Sequence, residues 1–218
     1  MELVALDSCR IPGRTDMLHH GLYHGVAVRE DRQFPNSPSH YLDDDLSLPL
    51  LVSVGANPLR EYFQPCLSSV LSIRVKSALA HLSNVAFLPV QFQRLVGLAC
   101  PAAGDYSIPR HTVKLESTRS FLGSMPHCPQ LLPTEPYFEL VLGNAFRLTS
   151  GDPSAFRRTI SMPHASDPKF EVELSASLIE KYPIFWSWVT IFRRDAFDVL
   201  DSLGVLDPDY FTWTQFTV

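Results

Sequence analysis

Three histidines stand close together near the start of the chain: His19, His20 and His24. On a helix, His20 and His24 would share a face at the i, i+4 spacing that suits a zinc ion. Gly21 lies between them and Gly25 follows, so a helix is disfavoured. No glutamate separates the histidines to serve as a metalloprotease base. The cluster is therefore expected in an exposed loop, and no metal or other cofactor is expected. A Gly-x-Ser-x-Gly nucleophile elbow is missing. His127 and Cys128 are neighbours, whereas a Cys–His pair is normally built across a fold. Neither GxGxxG nor GxxxxGK[ST] is present to cradle phosphates. Asp43, Asp44 and Asp45 form an acidic run, expected as a solvated turn. No catalytic residue is assigned.

The C-terminal end carries a different signal. Trp186, Trp188, Tyr210, Phe211, Trp213 and Phe216 are interleaved with Asp195, Asp198, Asp201, Asp207 and Asp209. Aromatics at alternate positions of a strand mostly fill a core face. Trp and Tyr left at a surface are favoured binding anchors. Asp198 and Asp201 are three apart, on one face of a helix if the segment is helical. An acidic helix beside exposed aromatics suits a basic protein partner, because rim charge steers encounter. Asp198, Asp201, Asp207, Asp209, Tyr210 and Trp213 are the candidate partner-binding residues.

Two segments would position such a surface. In the first, Ser72 caps a helix carrying Ile73, Val75, Leu79 and Leu82 on one face, with Asn84 as a left-handed stop. Val85 to Phe92 then reads as a strand, and Pro89 places it at an edge or a bulge. In the second, Thr190 caps a helix running from Ile191 to Leu203, ended by Gly204. Tyr210 to Phe216 alternates aromatic and polar residues, as a half-buried strand does. Laid over each other, Ser72–Leu79 matches Thr190–Phe197, and Gln91-Phe92 matches Gln215-Phe216. The pattern leaves open two readings, an internal duplication or two ordinary amphipathic units.

Further strands are expected at Leu3–Leu6, Tyr23–Val28, Leu46–Val54, Tyr137–Leu142 and Phe170–Leu174. Ala145–Leu148 is expected to return as a hairpin partner, and Ser175–Lys181 as a short helix ended by Pro183. Prolines punctuate residues 97–136. The fold class is α+β, mainly antiparallel sheet with a few short helices. It is organised as two modules, 1–96 and 97–218 with a proline-rich connection, or as one compact domain.

Composition bounds the rest. A chain of 218 residues with 45% hydrophobic and 19% charged residues can bury a core. Its net charge of −5 lacks the basic excess of a nucleic-acid binder. The start, MELVALDSCR, has no basic region before an apolar stretch, so no secretion signal is expected. The strongest apolar run, Ile184 to Phe192, falls well short of the roughly 20 residues that span a bilayer. Cys9, Cys66, Cys100 and Cys128 show no paired spacing and are expected as free thiols. A cytoplasmic chain without membrane contact is expected.

Leu71-Ser72-Ile73-Arg74-Val75-Lys76-Ser77-Ala78-Leu79, followed by Asn84-Val85-Ala86-Phe87-Leu88-Pro89-Val90, resembles a passage of the Imm11-type (DUF1629) immunity proteins of bacterial polymorphic toxin systems. Ile191 to Val205 resembles the family's late strand and helix. The chain departs from the pattern in its proline-rich middle and in the aromatic ending after Gly204. The resemblance implies a protein that is not an enzyme and that blocks a cognate toxin by binding it. Two other classes remain open. One is a hydrolase-like enzyme whose Asp and His residues meet only in the fold. The other is a structural subunit of unknown oligomeric state, using the apolar run Pro183 to Phe192 as its contact.

Overall fold

A computed structural model describes residues 1–8, 26–28, 50–54, 60–64, 69–94, 133–162, 169–208 and 211–218. The histidine cluster, Asp43 to Asp45, the four cysteines, and Asp209 and Tyr210 lie outside the described residues. Six strands form one sheet: β2 (Val26–Val28), β3 (Leu50–Val54), β4 (Tyr62–Phe63), β5 (Ser69–Ser72), β6 (Ala86–Arg94) and β7 (Tyr137–Val141). Their spatial order is β2-β3-β6-β7-β5-β4. A second sheet has β1 (Glu2–Ser8), β8 (Gly143–Asn144), β11 (Ile184–Ser187), β12 (Val189–Arg193) and β13 (Phe211–Thr217) in the order β13-β1-β12-β11-β8. β9 (Phe156–Ser161) and β10 (Lys169–Leu174) form a separate hairpin. Only β3–β6 and β8–β11 pair in parallel among the described residues. Among the described residues the helices are α1 (Ile73–Leu79), α2 (Ala145–Thr149), α3 (Ala176–Lys181) and α4 (Arg194–Ser202). The fold is α+β with mostly antiparallel sheets. No helix among the described residues is long and apolar enough to cross a membrane.

Strand pairing crosses the middle of the chain in both directions. β1, from the N-terminus, lies between β12 and β13 and is antiparallel to both. β7 lies between β5 and β6, again antiparallel to both. The paths β5-α1-β6 and β12-α4-β13 thus each straddle one inserted strand.

The five-stranded sheet is covered on both faces, which is why β1 is apolar at every position from Leu3 to Leu6. Val4, Leu6, Trp186 and Phe192 face a core shared with Leu71, Leu140, Val75 and Leu79 of the other sheet and α1, and with Ala196, Phe197 and Leu200 of α4. Leu3, Ala5, Phe185 and Ile191 face a second core with Ile160, Val172 and Leu174 of the β9–β10 hairpin and Leu178 of α3.

Ser72 caps α1: its Oγ accepts from the Val75 amide at 3.4 Å. Val75 and Leu79, one turn apart, face inward. Gly204 (φ 66°) follows the last residues of α4 in the left-handed conformation expected of a helix stop, whereas α1 ends earlier than expected, at Leu79 with Ala80 as its cap, so Leu82 lies outside it and Asn84 (φ 56°) instead turns the chain towards β6. Ser175 caps α3 by accepting from the Leu178 amide at 3.2 Å.

Four further expectations need correction. Thr190 is not a helix cap. It lies in mid-strand, and Ile191 and Phe192 follow it in β12 rather than in a helix. Pairing with β11 and β1 extends the strand to Arg193, and α4 begins only at Arg194 with no side-chain cap. Val189 to Phe192 are β-branched or aromatic and all buried, so tertiary burial outweighs the local cap signal. Ala145–Leu148 is not a strand but most of α2. Asn144 turns the chain by accepting the amides of Phe146 (3.1 Å) and Arg147 (3.4 Å). Pro89 lies in an interior strand, at the residue where pairing passes from β7 to β3. Partners on β7 end at Pro89, and those on β3 begin at Val90. A missing N–H is tolerated there because each half of β6 pairs on one side only. The apolar run Pro183 to Phe192 is β11 and β12, buried within the chain apart from Trp188.

Candidate functional site

Helix α4 packs on β12 and β1 and reaches the outer strand β13 through side chains, which brings Asp198 and Trp213 to one region. The Phe197 and Trp213 rings sit 6.0 Å apart, and Arg194 donates to Gln215 Oε1 at 2.7 Å. Trp213 keeps 37% of its surface exposed. Asp198 and Asp201 are exposed on the same helix. The acidity of this face is largely compensated. Arg194 holds Asp198 at 2.7 Å, Arg193 holds Asp195 at 2.8 Å, and Arg60 reaches Asp207 at 2.7 Å. The Arg193 hydrogen bond keeps the Asp195 carboxyl below the usual carboxylate range. Asp207 also shapes the chain, because its carbonyl accepts the Phe211 amide at 2.9 Å and so leads into β13. At this end the structure joins Trp213 to a mixed acidic and arginine surface rather than to a bare acidic one.

A second surface surrounds Trp188, which the sequence marks only as one of the C-terminal aromatics and as part of the apolar run Pro183 to Phe192. Trp188 sits at the apex between β11 and β12, 57% exposed, in the left-handed conformation (φ 66°). That conformation costs a bulky residue roughly 1 kcal/mol or more. Its ring leans on Phe146 of α2 (5.3 Å, 73°) and on Trp186 (5.8 Å, 55°). Phe146 also meets Trp186 edge-on at 5.6 Å. Past Phe146 opens a cleft of about 340 Å³, lined by Thr149, Ser150, Ala155, Phe156, Arg157 and Glu173. Phe156 is 39% exposed.

The polar groups of this cleft compensate one another. Arg157 and Glu173 face each other across the β9–β10 hairpin. Arg157 Nε (3.0 Å) and Nη2 (2.8 Å) both reach Glu173 Oε1, and Thr149 Oγ1 donates to Oε2 at 3.2 Å. Ser187, next to Trp188, clamps the Glu173 backbone by accepting its amide at 2.7 Å and donating to its carbonyl. Asp152, in the turn beside the cleft, accepts from the Ser177 hydroxyl and from the Ser154 hydroxyl and amide, and these hold its carboxyl far below its ordinary value. Phe146, Phe156, Arg157 and Glu173 had no sequence signal of their own. Trp188 belongs to the C-terminal aromatic set and to the apolar run that the sequence marked, but its exposure depends on the packing of Phe146 and Trp186.

Between the sheets lies a buried polar network. Gln64 Nε2 donates to Tyr62 Oη (3.1 Å), Ser69 Oγ (3.4 Å) and Thr190 Oγ1 (3.1 Å), and Tyr62 and Ser69 are 3.0 Å apart. Burial pushes the Tyr62 phenol up to about 12. These groups are buried and tie β4 and β5 to β12, so they read as a structural tie. Among the described residues, no three His, Cys, Asp or Glu side chains are grouped to hold a metal ion. No protein-family model matches the chain, and no curated protein matches it in sequence.

Proposed function

We propose that this chain is a cytoplasmic immunity protein that neutralises a cognate bacterial toxin by binding it and covering its active site. The observation that carries this reading is the presence of tryptophans at the surface of a well-packed α+β core. Trp186 is buried, yet Trp188 and Trp213 are 57% and 37% exposed, and both are held in place by ring contacts. Immobilised aromatics of this kind lose little entropy on binding and are common anchors. The resemblance of the α1 and α4 passages to immunity proteins points the same way. The partner-binding set is Asp198, Asp201, Asp207, Asp209, Tyr210 and Trp213, with a basic toxin as partner. Rim charge would set the association rate, and Trp213 the dissociation rate.

The test is co-purification with the product of the adjacent gene, followed by growth rescue of cells expressing that product. Failure of both would reject the immunity reading. If binding is found, Asp198→Asn with Asp201→Asn should slow association and weaken its salt dependence. Association at the parental rate in low salt would reduce this surface to a solvated face.

We also infer that the two strand–helix–strand units descend from one module. Support comes from their register: Leu71 pairs with Phe138 as Phe192 pairs with Val4, and Phe87 with Leu140 as Trp213 with Leu6. On this alignment Val75 and Leu79 correspond to Ala196 and Leu200, all buried. Ser69, not Ser72, then corresponds to Thr190, and Gln64 bonds both.

A further inference from the structure

We propose that the outer edge of β13 pairs antiparallel with β13 of a second copy of this chain, joining the two five-stranded sheets into one across a two-fold axis at Thr214. This goes beyond the partner-binding reading above and does not depend on it.

The register decides which groups of β13 face outward. Met1 and Val218 exchange both backbone hydrogen bonds, at 2.8 and 3.0 Å, so in the antiparallel β1–β13 ladder the alternate residues Phe216, Thr214 and Thr212 bond to β1. The N–H and C=O groups of Phe211, Trp213, Gln215 and Thr217 point away from it. β13 is the terminal strand of its sheet. Among the described residues, the other terminal strands of the two larger sheets, β2, β4 and β8, have only two or three residues each, and both strands of the β9–β10 hairpin carry charged side chains. Short length and charge are the usual guards against strand addition at an edge. β13 has neither guard: it is seven residues long and contains no charge, proline or glycine. Trp213, Gln215 and Thr217 are exposed along it.

Two of the outward groups are already used, and they select the occupant. The Phe211 amide donates to the Asp207 carbonyl at 2.9 Å, and the Thr217 carbonyl accepts from Arg158. When two copies pair about Thr214, Phe211 stands opposite Thr217 of the second copy, and the bond that would join these two groups is the one both have given up. The N–H groups of Trp213, Gln215 and Thr217 then donate to the carbonyls of Gln215, Trp213 and Phe211 of the second copy, so every outward group of the strand is satisfied. An unrelated strand would bring a carbonyl to Phe211 and an N–H to Thr217, and both would find their partners taken. Opposite side chains also match. Thr214 meets its own equivalent, a favourable cross-strand pair. Trp213 meets Gln215 of the second copy, whose side chain holds Arg194 at 2.7 Å, which brings a guanidinium to the exposed indole. Pairing consumes β13 on both copies and leaves the two-residue β8 at each end of the joint sheet, so association closes at two. A toxin seated on Trp213 would compete with the second copy.

The experiment is analytical ultracentrifugation of the purified full chain over a wide concentration range, followed by oxidation of a cysteine variant. The expected species has twice the 24.5 kDa mass of one chain, and a parent that stays monomeric throughout overturns the proposal. Gln215→Pro removes an outward N–H that β1 does not use, a change that edge strands tolerate. It should keep the parental circular dichroism and weaken dimerisation about thirty-fold or more, because the bond is lost twice per dimer. In Thr214→Cys the axis places the two new thiols on a non-hydrogen-bonded pair with Cα atoms about 4.5 Å apart, within disulfide reach. Gln215→Cys sets them diagonally, beyond about 7 Å. Mild oxidation should therefore cross-link Thr214→Cys well above Gln215→Cys and above the parent, whose Cys9, Cys66, Cys100 and Cys128 set the background. A dimeric parent whose Gln215→Pro variant folds and pairs within two-fold of it, or whose Thr214→Cys variant cross-links no faster than the parent, overturns this surface. Toxin binding is untouched by either result.

Discussion

Thr190→Val probes the tie between the two sheets with a nearly unchanged side-chain shape. Thr190 is 3% exposed, and its hydroxyl accepts one of the two N–H donors of the Gln64 amide at 3.1 Å. The other donor is shared by Tyr62 and Ser69, at 3.1 and 3.4 Å. Valine leaves the first N–H buried without this acceptor. Removing an acceptor from a buried donor costs up to about 1–3 kcal/mol. Taking about 2 kcal/mol, a chain of this size should melt roughly 4–8 °C lower. Urea unfolding followed by tryptophan fluorescence would give the free-energy change, and circular dichroism the melting temperature. Thr190→Asp sharpens the test. At a helix cap, Asp serves as well as Thr. In a buried strand its carboxylate should cost well over 3 kcal/mol or prevent folding. A valine variant that melts with the parent, or an Asp variant that folds normally, would refute the network.

Ser72→Ala should cost about 1 kcal/mol through loss of the α1 cap, read from urea midpoints. Tyr62 makes stability fall in alkali. Its folded value, about 12, lies above the ordinary 10, so its contribution is complete below pH 10 and fades as pH rises towards 12, amounting to about 3 kcal/mol at most. Alkaline titration of Tyr62→Phe should lack that component. Gly143→Ala should destabilise by about 1–3 kcal/mol, because a Cβ there would come within 3.1 Å of the Tyr182 ring and 3.2 Å of Phe185 Cβ, both buried. A melt unchanged from the parent would show that Tyr182 yields at no cost.

Local chemistry made much of the architecture legible. Ser72 read correctly as a cap and Gly204 as a stop, because each satisfies or releases backbone groups within a few residues of itself. Alternation in Phe170–Leu174 and the apolar run Leu3–Leu6 likewise announced β10 and β1. Thr190 and Ala145 misled because a hydroxyl before an apolar run, and residues after Gly-Asn, have two local solutions, and packing chose between them.

By itself the sequence determined the α+β class, the Ser72 cap and the concentration of tryptophan and aspartate at the C-terminal end. Those features depend on side chains and backbone groups only a few residues apart. The tertiary structure decided that β1 and β7 are the inserted strands, and that three arginines compensate Asp195, Asp198 and Asp207. It also decided that Trp188 stands exposed beside a cleft built from α2 and the β9–β10 hairpin. Each of these rests on pairs far apart along the chain, and neither burial nor a salt bridge at such separation leaves a periodic mark on the sequence.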